Sequence, residues 1–265
     1  MKKPIYKAKD LPLADFNAIN LIKDGKPILD EKDIQALLSG SRTNMMELKN
    51  LEFGGFRIDA LKAKLSLHQQ ENGKLELYIH PLYTQVLAPD FLDETQAEML
   101  EEGEVPNLEV TTTDKDGRKK QVLVEFDSDT NEFIITDTEK IWVPDQVNGE
   151  ILSLDQKERY RKGKEVELQD GTRLQYTGKE REGVRSNKIA LVASIMIDGG
   201  LSFALYHGLK AMFGEKHDQK SKEFTKGYDQ AVKDMKKQQE EGGPELNLNN
   251  TSKQESRGYN RSSSR

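Results

Sequence analysis

A short frame recurs three times at nearly even spacing and points the chain toward a modular fold. It reads Leu, then a helix-capping residue, then a polar-faced stretch, then Gly eleven positions after the Leu. The copies run Leu29 to Gly40, Leu92 to Gly103 and Leu152 to Gly163, with successive starts 63 and 60 residues apart. Self-similarity at a fixed period marks stacked supersecondary units, none of which buries its own apolar face alone.

The frame has a direct physical reading. Asp30, Asp93 and Ser153 follow the Leu and make good N-caps, because their side-chain oxygens accept from orphan backbone N–H groups. Three residues on stand Asp33, Gln96 and Gln156; Ser153 with Gln156 forms a full capping box, and Asp93 with Gln96 comes close to one. Gly40, Gly103 and Gly163 fall where a C′ glycine ends a helix. Leu37, Leu100 and Tyr160 share one slot of the frame and should face a core.

Strand-like material follows each helix. Phe56–Ala60 alternates apolar and polar, and a second alternation flanks Asn72-Gly73, with Leu65 and Leu67 before it and Leu75, Leu77 and Ile79 after. Asn-Gly between alternating runs signals a hairpin. A two-residue loop there pairs His68 with Leu77. Asp116-Gly117 separates Leu108–Thr113 from Val122–Phe126, and the turn at 127–131 leads to Phe133–Ile135. In the third copy, Asp170-Gly171 separates Val166–Leu168 from Leu174–Tyr176. The unit reads as a capped helix followed by an antiparallel meander.

The remainder departs from the frame. Residues 189–213 are strongly apolar, interrupted by Asp198-Gly199-Gly200 and by Lys210. A membrane-spanning helix needs about twenty continuous apolar residues, so the expectation is a buried helical hairpin, with a strand plus helix as the alternative. Phe224, Tyr228, Ala231, Val232 and Met235 then fall on one stripe of an amphipathic helix, which could dock on its own domain or on a partner. Residues 242–265 are polar and should be disordered; three arginines and a tyrosine close them.

The sequence carries few signatures of chemistry. His68, His80, His207 and His217 fall in no metal-binding spacing, and cysteine is absent, so no thiolate site or disulfide is expected. No Walker loop, dinucleotide fingerprint or nucleophile elbow is present. The DSDTN segment at 127–131 has the look of a calcium loop but lacks its glycine and terminal Glu, which leaves a turn. No cofactor, metal or catalytic residue is predicted, and the expectation is a non-enzymatic protein of a reducing, cytoplasmic setting.

Charge is segregated. Positions 87–109 hold eight acids and no base, whereas positions 157–188 hold ten Lys/Arg against six acids. Either the third copy presents a basic surface to an acidic partner, or it packs beside the second. On a nucleic-acid reading, Arg159, Arg161, Lys162, Lys164, Arg173, Lys179, Arg181, Arg185 and Lys188 would face phosphates, with affinity falling steeply in salt.

The segment Ile151-Leu152-Ser153-Leu154-Asp155-Gln156, followed by Tyr160–Leu168, resembles an uncharacterised repeat domain of Bacteroidetes conjugative-transposon proteins. Leu37-Leu38-Ser39-Gly40, Leu65-Ser66-Leu67, Asn72-Gly73 and Leu75 resemble the companion uncharacterised domain of the same proteins. Together the resemblance covers about positions 20–185. It implies a mobile-element context and supplies no catalytic residues.

The resulting expectation is an α+β protein of three divergent repeats. An N-terminal arm (1–20) precedes repeats at 21–91, 92–151 and 152–188. An apolar helical hairpin (189–213), an amphipathic helix (214–241) and a disordered tail (242–265) follow. Its function would be that of an accessory or adaptor protein with a protein partner, its docking helix carried by Phe224, Tyr228, Val232 and Met235; the alternative is a DNA-binding accessory factor. Membrane association is not expected.

Overall fold

A computed structural model describes residues 5–114, 116–188, 190–197, 200–207 and 224–240. The first unit holds α1 (Leu13–Ala18), the short hairpin β1 (Ile22–Lys23) and β2 (Lys26–Pro27), α2 (Glu31–Leu38), and the sheet β3 (Met46–Phe53), β4 (Phe56–Gln69) and β5 (Leu75–Pro81). The second holds α3 (Glu94–Glu101) and the sheet β6 (Leu108–Thr113), β7 (Lys119–Asp127) and β8 (Glu132–Asp137). After the hairpin β9 (Gln146–Val147) and β10 (Glu150–Ile151) comes the third: α4 (Leu154–Arg161) with β11 (Val166–Glu167), β12 (Arg173–Tyr176) and β13 (Val184–Ser186). The hairpin β14 (Ala190–Ile197) and β15 (Gly200–His207) and the helix α5 (Lys226–Glu240) complete the described chain. Each of α2, α3 and α4 is thus followed by its own three-stranded antiparallel sheet.

The caps act as the sequence predicts. Asp30 accepts from the Asp33 N–H, and Asp93–Gln96 and Ser153–Gln156 both form complete capping boxes. Gly40, Gly103 and Gly163 carry φ of 70°, 72° and 65°, left-handed conformations that would strain any β-carbon. Leu37, Leu100 and Tyr160 are buried, one in each of three separate cores. Helices this short are marginal alone; the face each buries against its sheet stabilises it, at roughly 1.5–3 kcal/mol per fully buried large apolar side chain.

Four features differ from expectation. Residues 13–18, set apart as part of an arm, form α1, and Phe16 is fully buried in the first core with Leu37, Leu48 and Leu65. The Asn72-Gly73 hairpin pairs His68 with Glu76, not Leu77. Gln70 N–H closes the loop on Lys74 O, leaving three residues between them with Gly73 at φ 83°, so the register moves by one. The run 56–60 belongs to one 14-residue strand that turns back through Gly54-Gly55 to β3, a strand with weak alternation in its sequence.

The fourth is the apolar segment, which is a β-hairpin over 190–207 where a helical pair was expected. Each half is eight residues long, a strand's length, and Ile and Val are stiff at χ1 in a way that suits a pleated sheet. A short apolar run cannot be assigned by periodicity alone. The two strands close at Ile197, which pairs with Gly200; in the sequence, Asp-Gly between two apolar runs is a hairpin signal. β14 also pairs with β9, so chain before and after the third unit meets in one sheet, β10-β9-β14-β15. Residues 208–213 and the tail at 242–265 lie outside the described residues. Among the described residues, no helix is long and apolar enough to cross a membrane.

Candidate functional site

A cluster of ionisable side chains lies where the 127–131 turn meets the outer face of the first sheet. Lys64 and His80 stand opposite each other on β4 and β5. The Lys64 ammonium donates to both carboxylate oxygens of Asp127, at 2.9 and 2.8 Å, and lies 2.9 Å from Asp129. Arg42 donates to Glu132 at 2.7 Å and to Thr130 Oγ1 at 3.2 Å. His80 Nδ1 is 3.3 Å from Glu132, and its Nε2 is 2.8 Å from Ser66 Oγ. Tyr83 N–H and Asn131 Nδ2 seal the turn through Thr130 O and Tyr83 O.

Burial gives these contacts their weight. Lys64 and Asp127 side chains are 5% and 3% exposed, and a charge so buried is tolerated only when paired. Partial burial of Glu132 pushes its carboxyl up, but the hydrogen bond with His80 and the charge of Arg42 outweigh that and bring it to about 2. Ser66, His80 and Glu132 stand in the order of a nucleophile, base and orienting carboxylate. Each is also held by the junction itself: Ser66 pairs with Tyr78 of β5, and Glu132 is anchored by Arg42. Among the described residues there is no group of three or more His, Asp or Glu arranged to hold a metal.

Two further junctions use residues predicted to be surface cations. Arg181 donates to Asp30 at 2.9 Å and to Asp33 at 3.1 Å, joining the third unit to the N-terminus of α2. Its own burial opposes its charge, and the bonds to Asp30 and Asp33 outweigh it, so the guanidinium is raised above its ordinary value. Glu125, buried on β7, accepts from Thr177 Oγ1 at 2.7 Å and from Gly178 N–H. Desolvation raises its carboxyl despite those bonds and the nearby Lys179 and Arg185 charges. Lys179 donates to Phe126 O at 2.9 Å and is lowered first by burial. A β-carbon at Gly178 would lie 2.9 Å from Thr136 Oγ1 and 3.1 Å from Glu125, so the close approach of the units needs glycine there.

The predicted basic surface is therefore divided. Lys179 and Arg181 bond across the junctions, and the charge of Arg185 acts on Glu125 there. Arg159 donates to Glu165 O, Arg173 lies 3.5 Å from Glu165, and Lys162 pairs with Glu158. Arg161 and Lys164 are exposed, and Lys188 is half-buried. Arg161 and Lys162 line a groove of about 380 Å³ with Glu109, Gln121, Lys157 and Glu158, a mixed-charge wall that favours neither sign strongly.

The predicted docking helix is largely occupied by its own chain. Tyr228, Ala231 and Val232 pack on Ala190, Val192 and Leu205. Thr225 Oγ1 accepts from Tyr228 N–H and donates to Asp170, which latches α5 to the third unit. Phe224 stacks on Tyr228 but stays half exposed, and Met235 is half-buried.

Sequence reasoning missed Arg42, Lys64, Glu125, Asp127 and Glu132. The available signal was a charged residue inside an apolar strand, as Lys64 stands in Ala63–Leu67 and Glu125 in Val122–Phe126. A family model described as Protein of unknown function (DUF4099) matches residues 6–87, a span that takes in α1, α2 and the whole first sheet. No curated protein and no solved structure matches the chain.

Proposed function

We propose that this chain is a non-enzymatic adaptor of a conjugative mobile element that acts by holding a protein partner. The element context rests on the resemblance of the segments around Gly40 and Gly163 to conjugative-transposon domains. We read the three helix-plus-sheet units as divergent copies of one module, which their shared frame of Leu, N-cap and Gly supports. The observation that carries the reading is where charge and apolar surface fall. Lys64, Arg42, Arg181 and Glu125 join the units. Leu82, Tyr83 and Leu87, the last 82% exposed, line the connection into the acidic helix α3. An apolar strip beside acids suits a partner surface that is apolar with a basic rim.

A photo-crosslinking residue at Gln85 in the native host tests this. One discrete protein adduct is expected, and Leu87→Asp should abolish it; no adduct, or one indifferent to that change, refutes the reading. The nucleic-acid alternative is favoured by Arg159, Arg161, Lys162 and Lys164, which cluster at the C-terminal end of α4. The adaptor reading expects no mobility shift of single- or double-stranded DNA even at low salt. A salt-sensitive shift, lost on changing Arg161 and Lys164 to Glu, would put DNA binding first.

A further inference from the structure

We propose that two copies of this chain pair edge to edge through the outer half of β4. β5 pairs with β4 over Ala63–Gln69, so among the described residues Phe56–Lys62 has β3 on one side and an open edge on the other. β5 ends at Pro81, and the chain then leaves toward the second unit, where Tyr83 N–H bonds Thr130 O. Among the described residues, nothing fills the slot in line with β5 along these seven residues. An edge of this kind presents alternate unpaired N–H and C=O groups and is a template for another strand. Its side chains are solvated: Phe56 is 77% and Ile58 38% exposed, and the Arg57 and Asp59 side chains are 67% and 87% exposed.

Charge selects a second copy as the occupant and also selects the register. Opposed side chains in an antiparallel pair share a face, so a two-fold axis between identical strands passes through a residue. An axis at Ile58 sets Arg57 of each copy opposite Asp59 of the other, twice. It also sets Phe56 against Ala60 and Ile58 against Ile58, which gathers the apolar side chains on one face. An axis at Asp59 or at Arg57 places like charges opposite each other, which is destabilising. The Arg57–Asp59 contact within one strand, at 3.2 Å, would be exchanged for the two contacts between copies. The pairing uses the outer half of β4 and stands independently of the Leu87 strip and its partner.

Sedimentation equilibrium of the full chain over a range of concentrations tests the pairing. A reversible monomer–dimer equilibrium is expected, weakened by salt. Arg57→Asp and Asp59→Arg should each lower association at least about tenfold, because each makes every opposed pair like-charged. An equimolar mixture of the two variants should restore it, since each Asp of one then faces an Arg of the other. Circular dichroism checks that both variants fold, as substitutions at such exposed sites should. A wild-type chain that is monomeric at millimolar concentration overturns the proposal. So does a dimer unaffected by Arg57→Asp, or a mixture that fails to associate.

Discussion

Replacing Asp127 by alanine should destabilise the protein by about 3 kcal/mol and loosen the first unit from the second. The magnitude follows from the surroundings of Lys64. Its side chain is 5% exposed, and Asp127 supplies two of its three contacts, at 2.9 and 2.8 Å. The third partner, Asp129, is 53% exposed and offers a well-solvated carboxylate. Breaking a buried pair from one side costs about 3–5 kcal/mol, because the remaining charge keeps its desolvation penalty; Asp129 sets the lower end. At this chain length the loss corresponds to a fall in Tm of roughly 6–12 °C. Urea denaturation followed by far-ultraviolet circular dichroism and by fluorescence is the assay. Trp142 is the sole tryptophan and packs on the core shared by the second and third units, so its signal does not report the first. Uncoupling should therefore separate the two transitions. Lys64→Met combined with Asp127→Leu removes both charges and should recover most of the loss. An Asp127→Ala variant within about 0.5 kcal/mol of wild type, or a double variant no more stable than the single one, would show that the pair does not hold the units together.

Two other outcomes follow from the same geometry. Glu132 titrates at about 2 in the folded chain against 4.5 ordinarily, so its junction contributes up to about 3 kcal/mol above pH 4.5 and loses it as pH falls toward 2. Glu132→Gln should flatten that acid limb in urea titrations from pH 6 to 2; Glu125, whose carboxyl is raised, acts with the opposite sign and loses stability as pH rises through its folded value. Gly227→Ala, which helix propensity alone would favour by about 1 kcal/mol, should instead destabilise by about 1–3 kcal/mol. Its β-carbon would lie 2.8 Å from the Asn148 carbonyl oxygen, a backbone atom that cannot swing aside. Hydrogen exchange should then quicken in α5 and along β14, and unchanged protection there would refute the close-approach argument.

Local signals carried far along this chain. The N-caps at Asp30, Asp93 and Ser153 and the glycines at 40, 103 and 163 set α2, α3 and α4 to within a residue, because a cap satisfies backbone groups a few positions away. Asp116-Gly117 and Asp170-Gly171 lie in the loops that join β6 to β7 and β11 to β12, and Asn148-Gly149 makes the β9–β10 turn by the same rule, at φ 50° and 80°. Asp198-Gly199 bore that signal too, between runs read as helical because apolar content obscured their length.

The candidate site was of another kind. Lys64 lies 63 positions from Asp127, and Arg181 lies 151 from Asp30. Nothing in the composition around either partner tells which acid a given base will meet. The cluster of Lys and Arg at 157–188 could be counted, but whether each side chain faced water or a neighbouring unit could not. Local backbone chemistry, acting through hydrogen bonds a few residues long, was settled by the amino acids themselves: where helices start, where they stop, and where hairpins turn. Which charges are buried was decided only when the three sheets packed, because the cost of desolvating an ion depends on everything around it and not on its neighbours in the chain.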